Sequence, residues 1–276
     1  DSGNLTVNAG PLRIGSSTGL ASAKIYVTGS GSTYGTLDLA GNTITNNLYL
    51  NSGYAPLTAS NPTYLGTVAL TDSIGGGAAN GAVVLQSGIL LEGPTNYSIG
   101  GNISGAYVID KSGPNTVLLS GTNTYSGGTQ ILEGVIKAGS ATALGASTGA
   151  VYVYVGGSLD LNGQSITNTN ALTLNDGGYA SQGSLFNSNG TVASYAGTVT
   201  LATSSTIAGT GAITLSNTLN VGSSANLLTV SNTALTANNT GNTIYSLTLN
   251  NASGTIRTTQ SLTVNAGSIN GLSLIH

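Results

Sequence analysis

The chain repeats itself over a long interval, and that most constrains its fold. Gly35-Thr36-Leu37-Asp38-Leu39-Ala40-Gly41-Asn42-Thr43-Ile44-Thr45-Asn46 returns as Gly157-Ser158-Leu159-Asp160-Leu161-Asn162-Gly163-Gln164-Ser165-Ile166-Thr167-Asn168. Leu48-Tyr49-Leu50-Asn51 returns as Leu172-Thr173-Leu174-Asn175. A slightly longer spacing relates the stretch from Tyr64 to Leu70 to that from Tyr195 to Leu201, and Ile74-Gly75-Gly76 to Ile207-Ala208-Gly209. Leu5-Thr6-Val7-Asn8-Ala9-Gly10 recurs letter for letter from Leu262 to Gly267. The copies lie about 120–130 residues apart, which predicts long repeats at about 5–130 and 131–261 and the start of a third at 262–276.

Such a unit is too long to be one coil. Inside it, apolar triplets such as Leu-x-Leu recur about every 8–12 residues, with Gly, Asn or Ser between them. A coil of around 20 residues follows, giving about a dozen coils and a rod roughly 60–70 Å long. Alternation assigns the faces, because successive strand side chains point to opposite sides. It predicts Ile25 and Val27 inward, matched by Val153 and Val155. Lys24 and Tyr26 then point outward, matched by Tyr152 and Tyr154. Asp38 and Asp160, each between two leucines, are predicted to face out.

Composition supports this and removes other classes. Charged residues are only 5% of the chain and the formal net charge is −3, against about a quarter charged in ordinary globular domains. With a mean hydropathy of +0.20 and many Val, Ile, Leu and Thr, the chain is too apolar for a disordered tail. Five Lys and Arg cannot neutralise a phosphate track, which excludes nucleic acid. No run reaches the roughly 18 apolar residues of a membrane helix, so no membrane insertion by this segment is expected. Without Cys there is no disulfide framework. Small and β-branched side chains suit a narrow solenoid interior better than large aromatics. The opening Asp1-Ser2-Gly3-Asn4 shows neither an initiator Met nor a signal-peptide pattern, which predicts a processed product or part of a longer protein. Neither terminus shows a cap.

The stretch Ser112–Gly145 reads as three short strands between turns. Val117 and Leu119 share a face with Leu118 opposite, and Thr129-Gln130-Ile131-Leu132 and Val135-Ile136-Lys137-Ala138 follow. Here Asn123-Thr124-Tyr125-Ser126-Gly127-Gly128-Thr129, the run from Glu133 to Ser140 and Ala143-Leu144-Gly145 resemble the passenger-associated transport repeat of bacterial autotransporters. The resemblance implies a right-handed parallel β-helix, a handedness that also agrees with the general chirality of parallel β connections. It also implies export to the bacterial surface, and coil-by-coil folding. The family's C-terminal membrane barrel has no counterpart in the closing residues to His276.

The fold class is therefore all-β: one right-handed parallel β-solenoid with irregular coils over residues 1–276. The expected function is a non-enzymatic structural segment of a secreted bacterial surface protein, an adhesin or fibre rod. Its location would be extracellular or on the outer cell surface. One alternative is a filament subunit stacking head to tail through uncapped ends. Another is a carbohydrate-binding β-helix. Partners would be the chain itself, end to end or laterally, or a host or cell-surface ligand. No catalytic, cofactor or metal residues are assigned. The acids are scattered, Asp110-Lys111 reads as a solvated turn pair, and His276 is the lone histidine at the last position. The candidate surface contact is Tyr152 with Tyr154, aromatics on an outward strand face that can stack on sugar or anchor a protein.

Overall fold

A computed structural model describes residues 4–8, 10–16, 20, 22–29, 35–51, 68–258, 263–266 and 269–275. Tyr64, Leu262, Gly267 and His276, named above, lie outside them. The described residues form a parallel β-solenoid of about ten turns. Its strands pair in parallel with those one turn before and after. At 4.7–4.9 Å per turn this spans roughly 50 Å.

The coil has three faces. The first stacks Gly10–Arg13, Gly35–Asp38, Val68–Thr71, Ile89–Leu91, Ile109–Lys111, Thr129–Ile131, Val151–Val153, Leu172–Asp176 and the start of Val199–Gly209. The second stacks Thr43–Ile44, Ala78–Ala79, Tyr97–Ile99, Thr116–Leu119, Gly134–Ala138, Gly157–Asp160 and Leu185–Asn187. It continues with the end of Val199–Gly209, then Leu228–Ser231 and Ser246–Asn250. Val199–Gly209 turns the corner and joins both faces. The third face is in two sheets, Leu5–Val7 to Ile103–Ser104 and Ser165–Ile166 to Ile269–Ile275. The gap between them holds Asn123–Tyr125 and Ala143–Gly145, which carry the repeat-like motif without strand structure.

Alternation builds the core. Leu70, Leu91, Ile131, Val153, Leu174 and Leu201 stack inward on the first face. Ile136, Leu159, Leu185, Ile207, Val230 and Leu249 do so on the second, all fully buried. The interior also accepts large aromatics, contrary to the sequence reading. Tyr125 and Tyr195 are fully buried and Tyr97 nearly so. Each spends its hydroxyl inside: Tyr97 on the Leu70 carbonyl (2.8 Å), Tyr195 on the Asn170 carbonyl (2.9 Å), Tyr125 with Thr129 Oγ1 (2.7 Å). With a carbonyl or hydroxyl within reach, the polar tip is paired and the ring fills volume. The one Phe, Phe186, sits in the outward register of the second face, paired with Asp160 and Ala208.

The register corrects other expectations. Val155 is 68% exposed; Ile25 and Val27 correspond to Val151 and Val153, because Ile25 pairs with Leu48 and Val151 with Leu172, the copy of Leu48 in the long repeat. By the same test Val83–Leu85, and not Val68–Leu70, stands where Val199–Leu201 stands. Ile74 is 60% exposed, whereas Ile207 is core. Asp38 and Asp160 do occupy the outward register, yet both are buried, at 9% and 2% exposure. Asp38 accepts from the amides of Ala40 and Ser73 (both 2.9 Å) and from Ser73 Oγ (2.6 Å), with Arg13 at 3.7 Å. Asp160 accepts from the amides of Asn162 (2.8 Å) and Ser188 (3.0 Å) and from Ser188 Oγ (2.6 Å), with Lys137 at 3.4 Å. The two networks match group for group. They lie on different faces, the first for Asp38 and the second for Asp160.

Candidate functional site

Asp110 and Lys111 are the departure of greatest chemical interest, because the predicted solvated turn is a buried strand, Ile109–Lys111. Lys111 lies in the inward register between Leu91 and Ile131 and is fully buried. Its Nζ turns up to the corner and donates to the carbonyls of Ser112 (2.9 Å), Gly113 (2.7 Å) and Glu133 (3.1 Å). Burial pulls its pKa down to about 7, against the pull of Glu133 and Glu92. Asp110 takes the outward register between Leu90 and Gln130. It is 1% exposed, and neither carboxylate oxygen has a hydrogen-bond partner. Burial raises its pKa to about 7.

Tyr152 continues that outward row, next to Gln130, and Tyr154 follows past the strand end. The two rings are 6.3 Å apart and tilted by 34°. Both are partly buried, and Val155 beside them is exposed. Burial raises the Tyr154 pKa, with added contributions from Tyr152 and Asp110. The pair is thus brought together at the surface of the first face, over the Asp110 row. A second aromatic pair escaped the sequence reading. Tyr26 and Tyr49, in register on the third face, stack at 4.7 Å with Lys24 Nζ 5.8 Å from the Tyr49 centroid. Their identical place in consecutive Ile-Tyr-Val and Leu-Tyr-Leu strands was the available signal.

A groove on the second face is the other surface feature. Its floor is the outward row Leu118, Lys137, Asp160, Phe186, Ala208 and Ser231, in register along the rod. Val135, Phe186 and Ala208 form a small apolar cluster outside the main core, with Tyr179 packed against it. Tyr179 comes from a strap, Gly177 to Gly183, tied down by Ser158: its Oγ accepts from the Tyr179 amide (2.8 Å) and donates to the Gly183 carbonyl (2.8 Å). Two concavities of about 390 and 410 Å³ lie along this row and share Gln182, Phe186 and Ser188. Lys137 Nζ is held between Asp160 and Ser188 Oγ (3.1 Å). Among the described residues no three His, Cys, Asp or Glu side chains converge as a metal cluster.

The motif residues now have structural roles. Asn123 bridges three turns, accepting from the Ile103 amide (2.9 Å) and donating to the Ala143 carbonyl (2.8 Å). Ser140 Oγ donates to the Gly121 carbonyl (2.7 Å). Ala143 and Leu144 are core, and Gly145 turns at φ +76° against Tyr125.

This is the architecture of a rung-by-rung parallel β-solenoid. Residues 109–140 match the passenger-associated-transport-repeat family, so the resemblance read from the motif is borne out. The chain is also 31% identical over 164 residues to the Adhesin BmaC autotransporter of Brucella suis biovar 1 (strain 1330). That alignment covers 56% of this chain and 4% of the relative, so the chain spans a small part of that protein's length. No solved structure matches.

Proposed function

We propose that this chain is a non-enzymatic rod segment of a bacterial cell-surface adhesin, exported as part of an autotransporter passenger. The carrying observation is the passenger repeat seated in the middle of a continuous parallel ladder. There its Asn123 joins successive turns in the gap between the two halves of the third face. Parallel rungs add their stabilities as nearest-neighbour terms. A rod of this kind holds its side faces away from the cell and offers them to a host or cell-surface ligand. The relative's description as an adhesin agrees with that role. Antibodies to the native rod, applied to intact producing cells, test the reading. Labelling without permeabilisation, lost after brief external proteolysis together with cell adhesion, is the expected result. Labelling only after permeabilisation refutes it.

A further inference from the structure

We infer that the second-face groove is a binding site for a neutral oligosaccharide laid along the rod axis. The inference deepens the adhesin reading, on which it rests only for where the ligand is met. Three observations select this ligand class. First, the groove holds no unspent charge, since Lys137 and Asp160 face each other at 3.4 Å and Lys137 also donates to Ser188. An anionic ligand would have to break that pair, and burying a charge without a counter-charge is costly. Second, the floor strands spend their backbone N–H and C=O groups on the turns above and below. No strand edge is offered, so an extended peptide cannot be recognised by β-addition. Third, the exposed lining is made of amides and hydroxyls, among them Asn96, Gln182, Thr210 and Asn232, with Phe186 buried beneath them. Amides and hydroxyls donate and accept, as sugar hydroxyls do.

The two concavities each fall in the range of small-molecule sites, roughly 300–1,000 Å³. They follow one another along the axis across successive rungs. A ligand extended along the axis therefore meets both. This ligand geometry differs from that of the Tyr152/Tyr154 pair, which lies on the first face.

The test is titration of the purified chain with cellohexaose, chitohexaose and maltohexaose, with heparin and a Thr/Ser-rich peptide as charged and peptidic probes. Saturable binding to a neutral hexasaccharide is expected. Gln182→Ala and Thr210→Arg, both at exposed positions, should each weaken it about tenfold or more, equivalent to about 1.4 kcal/mol, with the thermal transition unchanged. Tyr152→Ala/Tyr154→Ala should leave it intact. Binding to heparin or the peptide alone, no binding to any of the neutral probes, or loss confined to the tyrosine variant would each overturn the assignment. Failure of surface labelling in cells would leave this titration unaffected, so the two readings fail separately.

Discussion

Asp110 shows how one residue couples the solenoid to pH. Its carboxylate is buried without a hydrogen-bond partner, and burial raises its pKa from 3.8 to about 7. Between about pH 4 and 7 the folded state therefore binds a proton that the unfolded state has released. Stability should fall as pH rises through that window and level off above it. Lys111, lowered from 10.5 to about 7 by burial, acts on the other side. The unfolded state binds the extra proton between about pH 7 and 10.5, so stability should rise with pH there. The expected curve has its minimum near neutrality. Asp110→Leu, which extends the apolar Leu90 position, should remove the acid limb and raise stability at pH 8 by a few kcal/mol, on the order of the shift it eliminates. Urea denaturation at pH 5, 7 and 8 measures this; an unchanged acid limb would assign the titration elsewhere. At Tyr125 the hydroxyl contact to Thr129 predicts that Tyr125→Phe costs about 1 kcal/mol. The ring should stay in place, because its packing and not its hydroxyl fills the corner.

At the scale of the element, the paired carboxylate turns explain why so few charges suffice. Asp38 and Asp160 each tie a left-handed corner (Ala40 φ 49°, Asn162 φ 49°) to the serine of the next turn. Removing either carboxylate leaves two backbone amides and a hydroxyl without their acceptor. Asp160→Ala and Asp38→Ala should each cost about 1–3 kcal/mol or more. Arg13→Ala should cost little, since its side chain is 61% exposed and such pairs contribute about 0–1 kcal/mol. Thermal unfolding of the three variants would show this order. An Arg13 effect equal to that of Asp38 would make the ion pair, and not the amide bonds, the organising contact. Gly134 belongs to the same class of corner. It has φ +72°, and an added Cβ would run into the carbonyl oxygens of Gly113 and Asn115. Gly134→Ala should therefore destabilise the motif turns by several times the roughly 1 kcal/mol of an ordinary backbone effect, scored by the same melts.

For the whole molecule, the ladder architecture predicts mechanical behaviour more than chemistry. About ten turns should give isolated rods of roughly 50 Å by electron microscopy and small-angle scattering. Their length should stay constant with protein concentration if the side faces are the working surfaces. Fibres that lengthen with concentration would instead support the head-to-tail filament, with end-to-end β pairing as the contact. The groove on the second face and the tyrosine pair on the first face point in different directions around the rod.

Alternation of apolar and polar residues, the Gly/Asn corners and the Asn123–Gly145 motif determined the parallel solenoid and most inward positions. Those signals are local, and a period-2 strand cannot hide which side is apolar. Phase around the rod was decided only by the tertiary structure. The long repeat is not a whole number of turns: Gly35–Asp38 lies on the first face and its copy Gly157–Asp160 on the second, while Leu48–Asn51 lies on the third and Leu172–Asp176 on the first. Equal sequences therefore look out in different directions, and no local pattern carries that sum of coil lengths. Burial on the outer side was equally out of reach. Alternation says that Asp160 and Phe186 point away from the core, but the Gly177-to-Gly183 strap and neighbouring turns cover that surface. The same covering shapes the groove. Its lining comes from Asn96, Lys137, Gln182 and Asn232, residues brought together by stacking turns that are far apart in the chain.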